Sequence, residues 1–119
     1  MPELATVLLA AVLVGDPLRG EQVAHSRSTG LCVLCHAMPG VPAAQAGTIG
    51  PDLARVGARY TRAELRERLV APERFNPQTV MPSATRTEGL QRVAAAREGQ
   101  GVLTAQQLED VLAWLETLR

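Results

Sequence analysis

Both cysteines of this 119-residue chain and one of its two histidines fall within five consecutive positions of the stretch LCVLCHAMPG: Cys32, Cys35 and His36. Three chemistries could draw such soft, metal-binding side chains together: a redox disulfide, a zinc site or a covalently held haem. The spacing C-x-x-C-H is the attachment signature of c-type haem. Cysteines three apart lie on one side of a helical turn, where their sulfurs can bond the two vinyl groups of a single porphyrin. The histidine that follows projects beneath the ring, and its imidazole can coordinate iron. A disulfide-exchange motif has no use for that fixed histidine and usually sits at a helix start after a strand. A structural zinc site takes four ligands. Here the supply is Cys32, Cys35, His36 and at best His25, at a spacing that matches no familiar zinc pattern.

A haem iron held from below by His36 leaves its upper face for a second ligand, and Met38, Met81 and His25 are the candidates. Met38 lies two residues from His36, a span of about 7 Å even when fully extended, too short to round the edge of a macrocycle. His25 lies within reach of the same side as the cysteines. Met81 stands in a loop, with Pro82 fixing the backbone just after it. An exposed loop position suits a thioether only if it has a partner, so Met81 is the expected axial ligand. Histidine–methionine ligation closes both axial positions and raises the potential relative to bis-histidine ligation. That combination suits electron transfer and argues against substrate chemistry at the iron.

Groups that could support these ligands are in reach. In IGPDL, the carbonyl of Pro51 can accept a hydrogen bond from the Nδ1–H of His36, although Gly50-Pro51 also reads simply as a turn. Arg59 and Tyr60 follow and can hold a haem propionate, or serve only as the approach to the next helix. No side chain is set up as a catalytic acid, base or nucleophile, and the cysteines are consumed by thioethers.

The elements that must position these residues read as helices. Asp16 caps and Pro17 opens a helix running into the mid-twenties. Thr61 and Glu64 form a capping box for a helix stopped by Pro72, and Thr104 and Gln107 form another. Leu108, Val111, Leu112, Leu115 and Leu118 then draw one apolar stripe. Leu90, Val93 and Ala94 carry a weaker helical spacing among glycines. Two Pro-rich loops join these helices, and no alternating period marks a strand. The expected fold is all-α, with long loops that need an organiser.

Composition agrees. Hydrophobic residues make up 46% of the chain, yet there is one Trp, one Tyr and one Phe, so a flat apolar cofactor would supply the missing rings. Net charge is zero, which argues for neither nucleic acid nor an anionic membrane surface as partner. The apolar run from Leu4 to Val14 is shorter than the roughly 20 residues a membrane span needs and resembles the core of an export signal. No Lys or Arg precedes it and no A-x-A site follows. Residues 1–14 are thus expected to be an export signal and 15–119 one domain, with the mature chain periplasmic and without a membrane span.

C-x-x-C-H, then G-P-x-L at Gly50–Leu53, a Met-Pro loop and a terminal AWLETL helix resemble the layout of class I cytochromes c. That resemblance implies crossing first and last helices, with Gly20 or Ala24 close to the terminal helix and Trp114 near the crossing. More specifically, GDPLRGEQVA, GLCVLCHAMPG, the run from Gly47 to Pro82 and LTAQQLEDVLAWLETL resemble the SoxX family, small mono-haem subunits of SoxAX thiosulfate-oxidising complexes. NPQTVMP is the most specific piece, and Ser83 to Gly101 is left unplaced. The resemblance implies one covalent haem c and a SoxA-like cytochrome partner bearing the catalytic haem. It also implies a carrier protein met only through that partner, and a downstream cytochrome as electron acceptor. The enzyme class implied for the heteromer is L-cysteine S-thiosulfotransferase.

Overall fold

A computed structural model describes residues 13–87 and 99–119. Among them are four α-helices and no strand: α1 (Pro17–His25), α2 (Val56–Arg59), α3 (Arg62–Val70) and α4 (Ala105–Leu115). Single 3-10 turns at Cys32–Leu34, Ala43–Gln45 and Pro72–Arg74 punctuate the loops. The fold is all-α, as expected. The helical spacing at Leu90, Val93 and Ala94 lies outside the described residues, as does most of the expected export signal.

Local chemistry starts and stops the helices. Asp16 accepts hydrogen bonds from the Leu18 and Arg19 N–H groups at 2.8 and 3.2 Å, while Pro17 takes the first helical position. Both capping boxes form, Thr61 with Glu64 and Thr104 with Gln107. Pro72 cannot extend α3, which ends at Val70.

The stripe from Leu108 to Leu118 is buried throughout, and Ala113 and Trp114 join it, so every residue from Val111 to Leu115 is buried. Burying Val111 and Leu112 completely contributes about 2 kcal/mol each. The most extensive contact between elements is α1 on α4. It is close because of Gly20: a Cβ there would stand 1.9 Å from the Asp110 carbonyl oxygen. Arg66 reaches from α3 to grip Glu109 of α4 with two hydrogen bonds of 2.7 and 2.5 Å. The Gly57 N–H of α2 donates to the Leu118 carbonyl at 2.7 Å, holding the chain end in place.

A charged residue sits inside the α1–α4 crossing. Asp110 is 2% exposed, and its carboxylate accepts from the Asp16 N–H, from Arg19 and from Gln106. Burial pushes its pKa up, but these donors and the Arg19 charge outweigh it and hold the group below the ordinary value of 3.8. A depressed carboxylate pKa contributes stability that is full above the unfolded value and is lost as pH falls through the folded one. Asp110→Asn is therefore expected to cost about 2 kcal/mol at neutral pH. It should also flatten the acid limb of a Tm-against-pH curve as pH falls below 3.8. An unchanged acid limb would assign that limb to other carboxylates.

Candidate functional site

The cysteine segment is built by a strained start and a short turn. Leu31 has φ 65°, the one non-glycine residue with positive φ among the described residues. Left-handed backbone costs a leucine about 1–2 kcal/mol. Its N–H returns to the Ser26 carbonyl, and the Cys32 carbonyl then accepts from both Cys35 and His36 at 3.2 and 3.0 Å. This turn sets Cys32, Cys35 and His36 along one wall of a cavity of about 370 Å³. Burial pushes the Cys32 thiol up to about 11. A thiol so hard to ionise is a poor nucleophile for disulfide exchange. Among the described residues no three His, Cys, Asp or Glu side chains group as a metal site, so a zinc reading lacks its ligand set.

The imidazole of His36 is oriented from the following loop. Its Nδ1 lies 2.7 Å from the Pro51 carbonyl oxygen. A carbonyl can only accept, so Nδ1–H donates and Nε2 keeps its lone pair. Gly50 makes room for this: a Cβ there would stand 2.3 Å from the His36 ring. The Gly50, Gly47 and Leu53 N–H groups donate to the Cys35, Val33 and Ala37 carbonyls at 2.7, 2.9 and 2.9 Å. The loop is thereby pinned along the whole cysteine segment.

Met81 reaches the same cavity from the other side of the chain. Asn76 accepts the Gln78 N–H on its side chain and the Thr79 N–H on its carbonyl, each at 3.0 Å. The Thr79 hydroxyl oxygen then accepts the Met81 N–H at 3.1 Å. Beyond the methionine, the Ser83 hydroxyl donates to the Val70 carbonyl and the Ala84 N–H to the Leu69 carbonyl, at 2.6 and 2.8 Å. These bonds moor both ends of the NPQTVMP loop, and with it part of the segment from Ser83 that sequence left unplaced.

The other two candidate ligands are engaged elsewhere. Met38 is buried in the hydrophobic core and lines neither this cavity nor the next. The Nε2 of His25 lies 3.0 Å from the Pro39 carbonyl, and its ring packs edge-on against Trp114 at 5.5 Å. Trp114 therefore does stand near the α1–α4 crossing.

A second cavity of about 310 Å³ shares Cys32, His36, Pro51 and Met81 with the first. Arg59 and Tyr60 line it, and the Arg59 guanidinium donates to the Asp52 carbonyl at 3.4 Å. Sequence reasoning passed over Arg68, whose guanidinium lies between the Tyr60 and Phe75 rings on the same wall. Only a pattern of aromatic residues flanking a helix-end arginine could have hinted at it. The walls are aliphatic at one end and charged at the other, with two half-buried thiols and an imidazole lone pair between. They fit a flat apolar ring that bears two carboxylates.

The family model described as cytochrome c matches residues 19–119. The chain belongs to the cytochrome c family. Its cofactor is covalent haem c, and Cys32 and Cys35 fit the attachment motif. The cytochrome is similar to a solved structure described as the crystal structure of SoxXA from P. pantotrophus. The match has a TM-score of 0.76 and 33% identity, covering 88% of this chain and 82% of that one. No curated protein matches the cytochrome. None of its helices among the described residues is long and apolar enough to cross a membrane.

Proposed function

We propose that this cytochrome is the small electron-transfer subunit of a SoxXA-type complex in thiosulfate oxidation. The observation that carries this reading is the likeness to SoxXA over most of both chains, with Cys32, Cys35, His36, Pro51 and Met81 gathered on one cavity. Cys32 and Cys35 would form the thioethers, His36 would offer Nε2 to the iron, and Met81 would offer its sulfur. When bound, haem c supplies an iron that takes up and releases one electron at a time.

The chain's own residues fit that task. Pro51 fixes the His36 tautomer and, by accepting its Nδ1–H, strengthens the donor at Nε2. Arg59 and Tyr60 stand where haem carboxylates need partners. His36 and Met81 would hold the iron between them and leave no place there for a substrate, and no catalytic residue is assigned to this chain.

Chemistry on sulfur then belongs to a SoxA-like partner subunit, which would give the heteromer its L-cysteine S-thiosulfotransferase activity. A carrier protein would be met only through that partner, and electrons would leave to a downstream cytochrome. Ile49 and Val80, 72% and 76% exposed, stand on the rim of the first cavity and supply an apolar contact beside the haem edge. The reading places the complex in the periplasm, with residues 1–14 as the export signal and 15–119 as the cytochrome domain.

Co-expression with a SoxA-type cytochrome through a haem-attachment pathway tests the assignment. A stable heterodimer through size-exclusion chromatography is expected. A monomer at every concentration would point instead to a free electron shuttle of the same fold.

A further inference from the structure

Leu31 is held in a backbone conformation that its residue type resists. The chain leaves α1 through a tight turn. The Ser26 hydroxyl oxygen accepts the Ser28 and Thr29 N–H groups at 3.2 and 2.9 Å, and the Ser26 carbonyl accepts the Leu31 N–H at 3.0 Å. Gly30 is pressed onto α1, where a Cβ would stand 2.2 Å from the Val23 carbonyl oxygen. The Leu31 carbonyl then accepts the Leu34 N–H at 3.1 Å and opens the turn that carries Cys32 and Cys35. With its N–H and its carbonyl both committed, residue 31 stays at φ 65° and ψ 3°, which glycine adopts freely and leucine only at a cost.

A strained residue persists where its surroundings offset the strain. Among the described residues, Leu31 belongs neither to the hydrophobic core nor to the half-buried side chains packed against it, whereas its neighbours Cys32 and Val33 do. The core therefore does not offset the cost of residue 31. The side chain lines the first cavity instead, beside Cys32, Cys35, Ile49 and Val80, and does not line the second. Ile49 and Val80 are strongly exposed on that rim, whereas Leu31 is half-buried. Of these three apolar side chains it is the one most withdrawn from water, and the one next to a cysteine in the chain.

We propose that Leu31 sets the potential of this cytochrome: its left-handed backbone turns the side chain onto the cysteine edge of the slot, where it keeps water from the ring and favours the reduced iron. This rests on the reading that haem c occupies the slot. Oxidation adds one positive charge at the iron, and water near the ring stabilises that charge. An apolar side chain in the water's place therefore raises the potential. Contact with the ring also gives the leucine the burial that the core does not, and so offsets its backbone.

The test is the reduction potential of the full-length holoprotein, read beside its guanidinium unfolding midpoint. Leu31→Asn tolerates the left-handed backbone and puts an amide where the apolar group was, so it should lower the potential. Leu31→Gly removes strain and side chain together. It should lower the potential as well, without the rise in midpoint that relief of strain alone would bring. Leu31→Met keeps an apolar side chain of similar volume and should hold the potential at the wild-type value. A haem-loaded Leu31→Asn protein with the wild-type potential would overturn the proposal, as would a Leu31→Met protein whose potential falls as far as that of Leu31→Asn. If Leu31→Asn fails to mature, Leu31→Gly decides: an unmoved potential, or a raised midpoint, overturns the proposal. Intact mass separates the two levels of failure: a wild-type chain without haem removes the functional reading itself, whereas unmoved potentials on haem-bearing variants remove only the role of Leu31.

Discussion

Met81→Ala is expected to leave one haem covalently attached while lowering the reduction potential and opening the iron to added ligands such as imidazole or cyanide. Attachment depends on Cys32, Cys35 and the turn that presents them, and these bonds do not involve the methionine loop. The potential does depend on it. Axial ligands command a span of roughly 0.8 V, and exchanging a thioether for water should cost on the order of 0.1 V of it. Stability should suffer less than that change implies. The loop is held by Asn76, Thr79, Ser83 and Ala84 through bonds that none of the Met81 side-chain atoms make. Redox titration and ligand-binding spectra check both halves. An unshifted potential together with a spectrum indifferent to imidazole would mean that some other group occupies the sixth position.

Gly20→Ala should produce the largest loss of stability from a single methyl group. A Cβ at this position would lie 1.9 Å from the Asp110 carbonyl oxygen and 2.9 Å from the Val111 backbone nitrogen. Both are backbone atoms of α4, so no side chain can rotate out of the way. The helices must instead move apart, which loosens the packing around Ala24 and Val111 and lengthens the hydrogen bonds that Asp110 makes to Asp16 and Arg19. Overpacking of this kind costs about 3 kcal/mol. Guanidinium unfolding of the holoprotein, followed by far-UV circular dichroism, measures it. A change within experimental scatter would show that the crossing tolerates separation.

The features legible in the sequence are those decided locally. Thr61 with Glu64 and Thr104 with Gln107 announce helix starts because both partners of each capping box lie three residues apart. The leucines and valine of α4 repeat at the helical period and are buried as that period predicts. Cys32, Cys35 and His36 are adjacent, so their joint chemistry could be read directly. Met81 is proposed by elimination, since the reach of the chain excludes Met38, and it lines the same cavity as His36.

What escaped depends on meetings between distant residues. The contacts of Arg68 need Tyr60 from the end of α2 and Phe75 from beyond α3 to arrive at one side chain. The burial of Asp110 follows from the close crossing at Gly20, which no local pattern around Asp110 announces. His25 is a candidate ligand by sequence, whereas Pro39 and Trp114 hold its ring in place. The left-handed Leu31 has no composition signal at all, because glycine or asparagine is the residue type that usually marks such a turn.

Intact-mass spectrometry of the chain, exported and matured through a haem-attachment pathway, tests the central claim most directly. The expected result is a polypeptide heavier by one haem, with the group retained through acid–acetone extraction and lost when Cys32 and Cys35 are both replaced by Ser. A colourless chain of unmodified mass, or a haem that extracts freely from the wild-type protein, would contradict it.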